Sequence, residues 1–170
     1  MAKLRTIESG FYRIKLPVVL TDSMHGVMRA FELVTTRVRD TDGAEGVGYT
    51  FTVGRNGSTV LATLRDEIAE VAAGEDADRI EHLWQRVWWA LHYGGRGGPT
   101  VLALSAFDMA LWDLKARRAG LPLWKLLGGH DPRVPCYPGG IDLQLPLDAL
   151  LAQTDANLGR GFRAVSAQPG

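Results

Sequence analysis

Leu102 to Gly129, LALSAFDMALWDLKARRAGLPLWKLLGG, constrains the fold more than any other stretch of this chain. Its first half is a nearly all-apolar helix that carries two aspartates. A helix this apolar is expected to be buried on every side, and a buried carboxylate is costly without a partner. Asp108 and Asp113 are therefore expected to have assigned neighbours, with Arg117 in reach of Asp113 at i+4. Five residues apart, the two aspartates point to different faces and cannot share a proton or a metal. Gly120 reads as the C-terminal stop, Pro122 lies just beyond, and Leu123 to Leu127 adds a short last turn.

The residues before this helix change period. Residues 3 to 16 alternate loosely and predict a first strand ended by Pro17. A polar loop, TDSMHG at 21–26, follows. Phe31 to Asp40 alternates as a second strand, Asp42-Gly43 is a turn signal, and Gly46 to Val53 is the returning strand. From Ser58 to Ala73 the apolar residues fall at helical spacing. From Asp78 to Tyr93 a second helix places Ile80, Leu83, Trp84, Val87, Trp88 and Leu91 on one face, with Asp78 and Glu81 suited to cap its start. That spacing assigns Trp88 and Trp89 to core packing rather than to an exposed aromatic platform. Gly94 to Gly98 lacks the Lys-Ser/Thr ending of a phosphate loop and follows no strand, so it reads as a hinge with Arg96 free to reach an anion. Pro99 suits the first position of the long helix.

The last forty residues read as strand (134–137), amphipathic helix (147–158) and strand (162–167), a βα unit of a parallel sheet. A parallel pair has bare faces and edges and calls for further strands.

Bulk properties exclude several classes. Lys plus Arg and Asp plus Glu both number 19, so nothing favours nucleic acid or a membrane surface. The start lacks a signal-peptide core, and no apolar run reaches a bilayer span. The single cysteine, Cys136, excludes an internal disulfide and suits a reducing, cytoplasmic setting. It reads as a small strand hydrophobe rather than a reactive thiol. Of the four histidines, His25, His82, His92 and His130, no pair has metal-ligand spacing. His82 reads as solvated. His25 stands apart in a Gly-bounded polar loop, where binding groups often sit. No nucleophile elbow, CxxC or Ser-His-Asp order is visible.

The long helix resembles the first signature of the mandelate racemase and muconate-lactonizing branch of the enolase superfamily. Ala103, Ser105, Ala106, Asp108, Ala110, Leu111, Asp113, Leu114, Ala116, Arg117, Pro122, Leu123, Leu126, Leu127 and Gly128 match in order, and Phe107 departs where an aliphatic residue is usual. With TDSMHG, ELVTTRVRDTDGAEGVGYTFTVGR and WWALHYGGRGGP, the chain is most similar to acid-sugar dehydratases of the talarate/galactarate type. The resemblance implies an α+β fold. Residues 1–130 would form an enolase-like capping domain, a three-stranded antiparallel sheet plus helices, and 131–170 the first βα unit of a truncated TIM-type barrel.

It also implies chemistry. In the family, Mg²⁺ held by carboxylates on later barrel strands binds the substrate carboxylate, and a Lys or His base takes the α-proton. A dehydratase then expels the β-hydroxyl, and a racemase returns the proton. The capping loops, here Thr21 to Gly26 and Phe51 to Arg55, would close on substrate, with Asp22, Ser23, His25, Thr52 and Arg55 as the contacts. A small acid sugar is the expected partner, with no nucleic acid and no membrane, in a homo-oligomer.

The chain departs from its family after Val165. The family's second barrel strand commonly ends in Lys-x-Lys, and those positions hold Ser166 and Gln168. Gln cannot accept an α-proton, and an unassisted Ser hydroxyl is far too weak a base. The expectation is therefore no catalytic residue, no metal ligand and no bound Mg²⁺ for the chain alone. Either it is the front of a dehydratase, or of a racemase or epimerase of the same superfamily, with a disturbed end, or it is a short capping module that binds a ligand or partner without chemistry.

Overall fold

The computed structural model describes residues 1–166. Three strands, β1 (Leu4–Asp22), β2 (Gly26–Asp40) and β3 (Glu45–Thr52), form an antiparallel sheet in the order β1-β2-β3. After β3 the chain is helical: α1 (Gly57–Ala62), a π-helical stretch (Thr63–Ile68), α2 (Ala69–Ala72), α3 (Ile80–Ala90), α4 (Pro99–Arg118) and α5 (Leu123–Leu126). A last helix, α6 (Leu147–Gly159), follows an irregular segment. The chain forms two compact units. One comprises Met1–Ile14 and Glu32–Gly129, the other Lys15–Phe31 and the residues from His130 onward.

In the first unit β2 and β3 pair in a register that sets Leu33 opposite Phe51, Thr35 opposite Tyr49 and Arg37 opposite Val47. Alternation then divides the two faces. Val34, Thr36, Val38 and Asp40 of β2 and Gly46, Gly48, Thr50 and Thr52 of β3 turn inward, while Val47, Tyr49 and Phe51 stay exposed. The inward face of β3 is built of small residues because α4 lies directly on it. A Cβ on Gly48 would stand 1.9 Å from the carbonyl oxygen of Ala106, and one on Gly46 would stand 2.1 Å from that of Ala110. Only glycine permits this approach. Ala103, Ala106, Phe107, Ala110, Leu111 and Leu114 of α4 meet Val60, Leu64, Ile68, Leu83 and Val87 in one core.

Several boundaries follow from local chemistry. Pro99 opens α4. At its end Gly120 (φ 63°) takes the left-handed turn, donating to Arg117 O while Leu121 N donates to Ala116 O, so two terminal carbonyls are satisfied. Asp40 is fully buried, and its Oδ1 accepts the N–H groups of Asp42 and Ala44, which shapes the β2–β3 turn. Arg118 lies 3.7 Å from Asp40 and 3.1 Å from Asp78, tying that turn to the approach to α3.

The structure corrects several expectations. β1 does not stop at Pro17 but runs to Asp22; it is an edge strand, where a missing N–H costs no ladder bond. Asp78 does not cap α3, which begins after Arg79 with no side-chain cap, because its carboxylate is given to Arg118. Trp88 is half-buried, stacked on Trp84 at 5.1 Å, but Trp89 is 58% exposed. Arg96 is not free: its guanidinium lies over the rings of Trp88 and Trp89, at 5.0 and 4.6 Å. Nor is α4 buried all round, since Val101, Ser105 and Met109 face outward.

In the second unit α6 forms as expected, but 134–137 and 162–165 carry no strand pairing. The parallel contact is reduced to one bridge, Gly139 to Ser166, in which Gly140 N donates to Ser166 O and Ser166 N to Pro138 O. Pro135 removes a donor from the first segment, and Pro138 another just beyond it.

Candidate functional site

The two polar segments singled out in the sequence lie one in each unit. In the second unit β1 and β2 are joined by Ser23–His25, a tight turn organised by one carboxylate. Asp22 Oδ1 accepts the backbone N–H groups of Met24, at 2.9 Å, and His25, while Oδ2 lies 2.7 Å from His25 Nδ1. This is the side-chain mimic of a backbone turn for which Asp is favoured. The His25 N–H first, and its ring second, hold the Asp22 carboxyl below its ordinary value of 3.8. The structure thus joins Asp22 and His25, with Ser23 exposed beside them.

The turn is anchored from below. Thr21 N donates to Gln144 Oε1 at 3.0 Å, and Gln144 Nε2 donates to Val19 O at 3.1 Å. Leu143 N donates to Thr21 O, and Thr21 bridges Asp142 in parallel. Asp142, 3% exposed, accepts a hydrogen bond from Gln153 of α6. Sequence reasoning missed Gln144, because nothing local to LQLP announces a side chain that replaces a strand partner.

In the first unit the segment after β3 is fixed by a residue that was also missed. Glu32, 8% exposed on β2, accepts the Thr52 hydroxyl at 2.8 Å and the Gly57 N–H at 3.0 Å. Thr52 is its register partner, and Gly57 opens α1, so the carboxylate spans the 53–56 loop and sits where a helix N-terminus favours negative charge. Thr52 therefore spends its hydroxyl inside the fold. Arg55 is exposed and lines a cleft of about 420 Å³ with Phe51, Thr52, Asn56, Gly98 and Pro99. The cue for Glu32 was a charged residue on the inward face of β2, in line with the buried Val34 and Val38.

On the long helix, Asp113 Oδ2 accepts both Arg117 Nε and, from β3, Val47 N, each at 2.8 Å. Asp108 departs from expectation: among the described residues it has no hydrogen-bond or cation partner. Burial first and Glu81 second push its carboxyl above the ordinary 3.8. Ser166 is exposed and engaged only through its backbone, and Gln168 lies outside the described residues. Among the described residues no three His, Cys, Asp or Glu side chains are grouped to hold a metal ion.

A three-stranded antiparallel sheet backed by helices, with polar segments at the sheet's ends, is the capping-domain architecture of the enolase superfamily. The chain belongs to the mandelate racemase / muconate lactonizing enzyme family, whose N-terminal domain model matches residues 6–128. It is 51% identical over 167 residues to a 3,6-anhydro-alpha-L-galactonate cycloisomerase of Streptomyces coelicolor, covering 98% of this chain and 46% of that protein. It is 39% identical over 140 residues to the L-talarate/galactarate dehydratase of Salmonella typhimurium, covering 81% and 35%. Among solved structures, a racemase from Streptomyces coelicolor with bound magnesium superposes with a TM-score of 0.92 at 52% identity, covering 95% of this chain and 45% of that one. The Salmonella dehydratase, liganded with Mg and L-lyxarohydroxamate, gives 0.88 at 32% identity, covering 96% and 43%. The chain spans less than half the length of each of these relatives, from 35% to 46%.

Proposed function

We propose that these residues form the capping domain, 1–130, and the opening βα segment, 131–170, of an acid-sugar dehydratase. The reaction removes the proton beside a carboxylate and then expels the β-hydroxyl. The observation that carries this reading is the 39% identity over 140 residues, 81% of this chain, to the L-talarate/galactarate dehydratase of Salmonella typhimurium. In its support, the Asp22–His25 turn is compact and exposed, and Arg55 lines an open cleft, groups suited to hydroxyls and to a carboxylate. Asp22, Ser23, His25, Thr52 and Arg55 are the proposed contacts, with Thr52 acting through its hold on the loop.

Magnesium is bound in the solved relatives from Streptomyces and Salmonella. Such an ion would supply charge stabilisation to a substrate carboxylate and to negative charge developing beside it. Residues 1–170 by themselves are proposed to bind no Mg²⁺ and to leave acid sugars unchanged, Ser166 and Gln168 being unable to take the α-proton. No helix among the described residues is long and apolar enough to cross a membrane. A cytoplasmic, homo-oligomeric setting without nucleic-acid partners is part of the proposal.

The Streptomyces relative favours a second reading, cycloisomerisation of an anhydro sugar acid. The first step is the same, but the group expelled is a ring ether oxygen that stays attached, so no water leaves. Galactarate and 3,6-anhydro-L-galactonate should be offered to this chain and to a version continued through a complete barrel. The dehydratase reading expects a galactarate product lighter by one water from the continued version only. An isomeric product from the anhydro acid alone selects the second reading, and turnover by residues 1–170 refutes the proposed inactivity.

A further inference from the structure

We propose that the cleft bordered by α1, the π-helical stretch, the end of α3 and the start of α4 binds a small organic ammonium ion: Glu67 pairs with its charge, Thr63 accepts from its N–H groups, and the ring of Tyr93 lies against its carbon chain. The cleft holds about 400 Å³, within the range of small-molecule sites. One wall is a row along a continuous helix. Val60, Leu64 and Ile68 recur every four residues and are fully buried. The residues just before them, Thr59, Thr63 and Glu67, form a parallel row that lines the cleft. The π-helical turn Thr63–Ile68 falls in this row, an irregularity that often marks functional sites. Tyr93, in the turn after α3, and Thr100, at the start of α4, contribute the other walls.

The chemistry of the lining selects the ligand. No lining residue is basic, and Glu67 has no hydrogen-bond or cation partner among the described residues. The Thr63 hydroxyl donates to Thr59 O at 2.9 Å, and the Thr100 hydroxyl to Gly94 O at 3.4 Å. A hydroxyl whose proton is committed presents only lone pairs. The cleft therefore offers mostly acceptors around one negative charge, which calls for N–H donors and positive charge in the ligand. α3 ends on the cleft, and the carbonyl end of a helix favours a cation. α4 enters through Pro99, which has no N–H to offer an anion. Tyr93, 95% exposed in the short turn His92–Gly94, adds an aromatic ring, which attracts an ammonium group. A sugar diacid has the wrong sign for this cleft, which is no part of the substrate site proposed above and neither stands nor falls with it.

The test is a titration of the whole chain with putrescine, a four-carbon diamine, followed by amide NMR and calorimetry at fixed salt. Binding is expected at millimolar concentration, with the largest shifts at Thr59, Thr63 and Tyr93. Butanediol, the neutral match in length, and galactarate should leave those amides unmoved. Glu67→Gln should weaken the diamine about tenfold with the melt unchanged, because the side chain is exposed and unpartnered among the described residues. Tyr93→Leu should weaken it severalfold, and Tyr93→Phe, which keeps the ring, should not. Glu70→Gln alters an exposed carboxylate of α2 outside the lining and should bind as the parent does, which separates a site from general attraction of a cation. No binding of putrescine, equal binding of butanediol or galactarate at those amides, unchanged binding in Glu67→Gln, or equal loss in Glu67→Gln and Glu70→Gln overturns the proposal.

Discussion

Asp108 is half-buried on α4 and faces Glu81 across to α3, with burial and that like charge both favouring its protonated form. A carboxyl raised above its unfolded value weighs against the fold when ionised. That penalty fades as pH falls through the raised value. Asp108→Asn should therefore raise the melting temperature at neutral pH. The gain should vanish near about pH 3, where the carboxyl is already protonated. Thermal melts at the two pH values decide it, and an equal gain at both would show that charge is not the cause. Glu32 predicts the opposite sign. It satisfies Thr52 and Gly57 at once from a buried position, so Glu32→Gln should cost about 1–3 kcal/mol. Denaturant unfolding reads this directly, and an unchanged midpoint would refute the role given to the carboxylate.

At the scale of elements, the contact between β3 and α4 dominates. Because a Cβ on Gly48 would sit 1.9 Å from the Ala106 carbonyl oxygen, Gly48→Ala must push helix and sheet apart and should cost about 2–3 kcal/mol. Gly43→Ala, in the exposed β2–β3 turn where no atom lies within 4 Å, tests backbone strain alone at a φ of 91° and serves as the comparison. If the two variants melt alike, close approach is not what Gly48 provides. These elements were legible in the sequence to the degree that their causes are local. Alternation announced β2 and β3, Pro99 and Gly120 marked the ends of α4, and the apolar face of α3 was visible in its spacing. What escaped depended on distant partners. The passage of β1 through Pro17 needs the knowledge that β1 is an edge strand. The cap at Asp78 was lost to an arginine forty residues away. The Gly46 and Gly48 pair reads as strand weakness until the helix that lies on it is in place. In the candidate site the local Asp22–His25 turn could be suspected, whereas Glu32 and Gln144 act across 25 and 123 residues of chain and could not.

For the whole molecule, the outward residues of β3 set the behaviour in solution. Val47, Tyr49 and Phe51 are 41%, 56% and 52% exposed along one face. Contiguous apolar surface of this kind favours association. Sedimentation should show concentration-dependent assembly that Tyr49→Lys with Phe51→Lys reduces; a clean monomer across the range would contradict it. Magnesium should behave differently. A ligand without a site cannot stabilise the folded state, so millimolar Mg²⁺ should leave the melting temperature unchanged, and a clear rise would refute the proposed lack of a site. The guanidinium of Arg96, lying over the indoles of Trp88 and Trp89, has a practical consequence of its own. Any event that lifts the 94–98 segment alters the surroundings of two of the five tryptophans, so the unlabelled polypeptide reports the motion of its own glycine-rich bend as a change in emission colour.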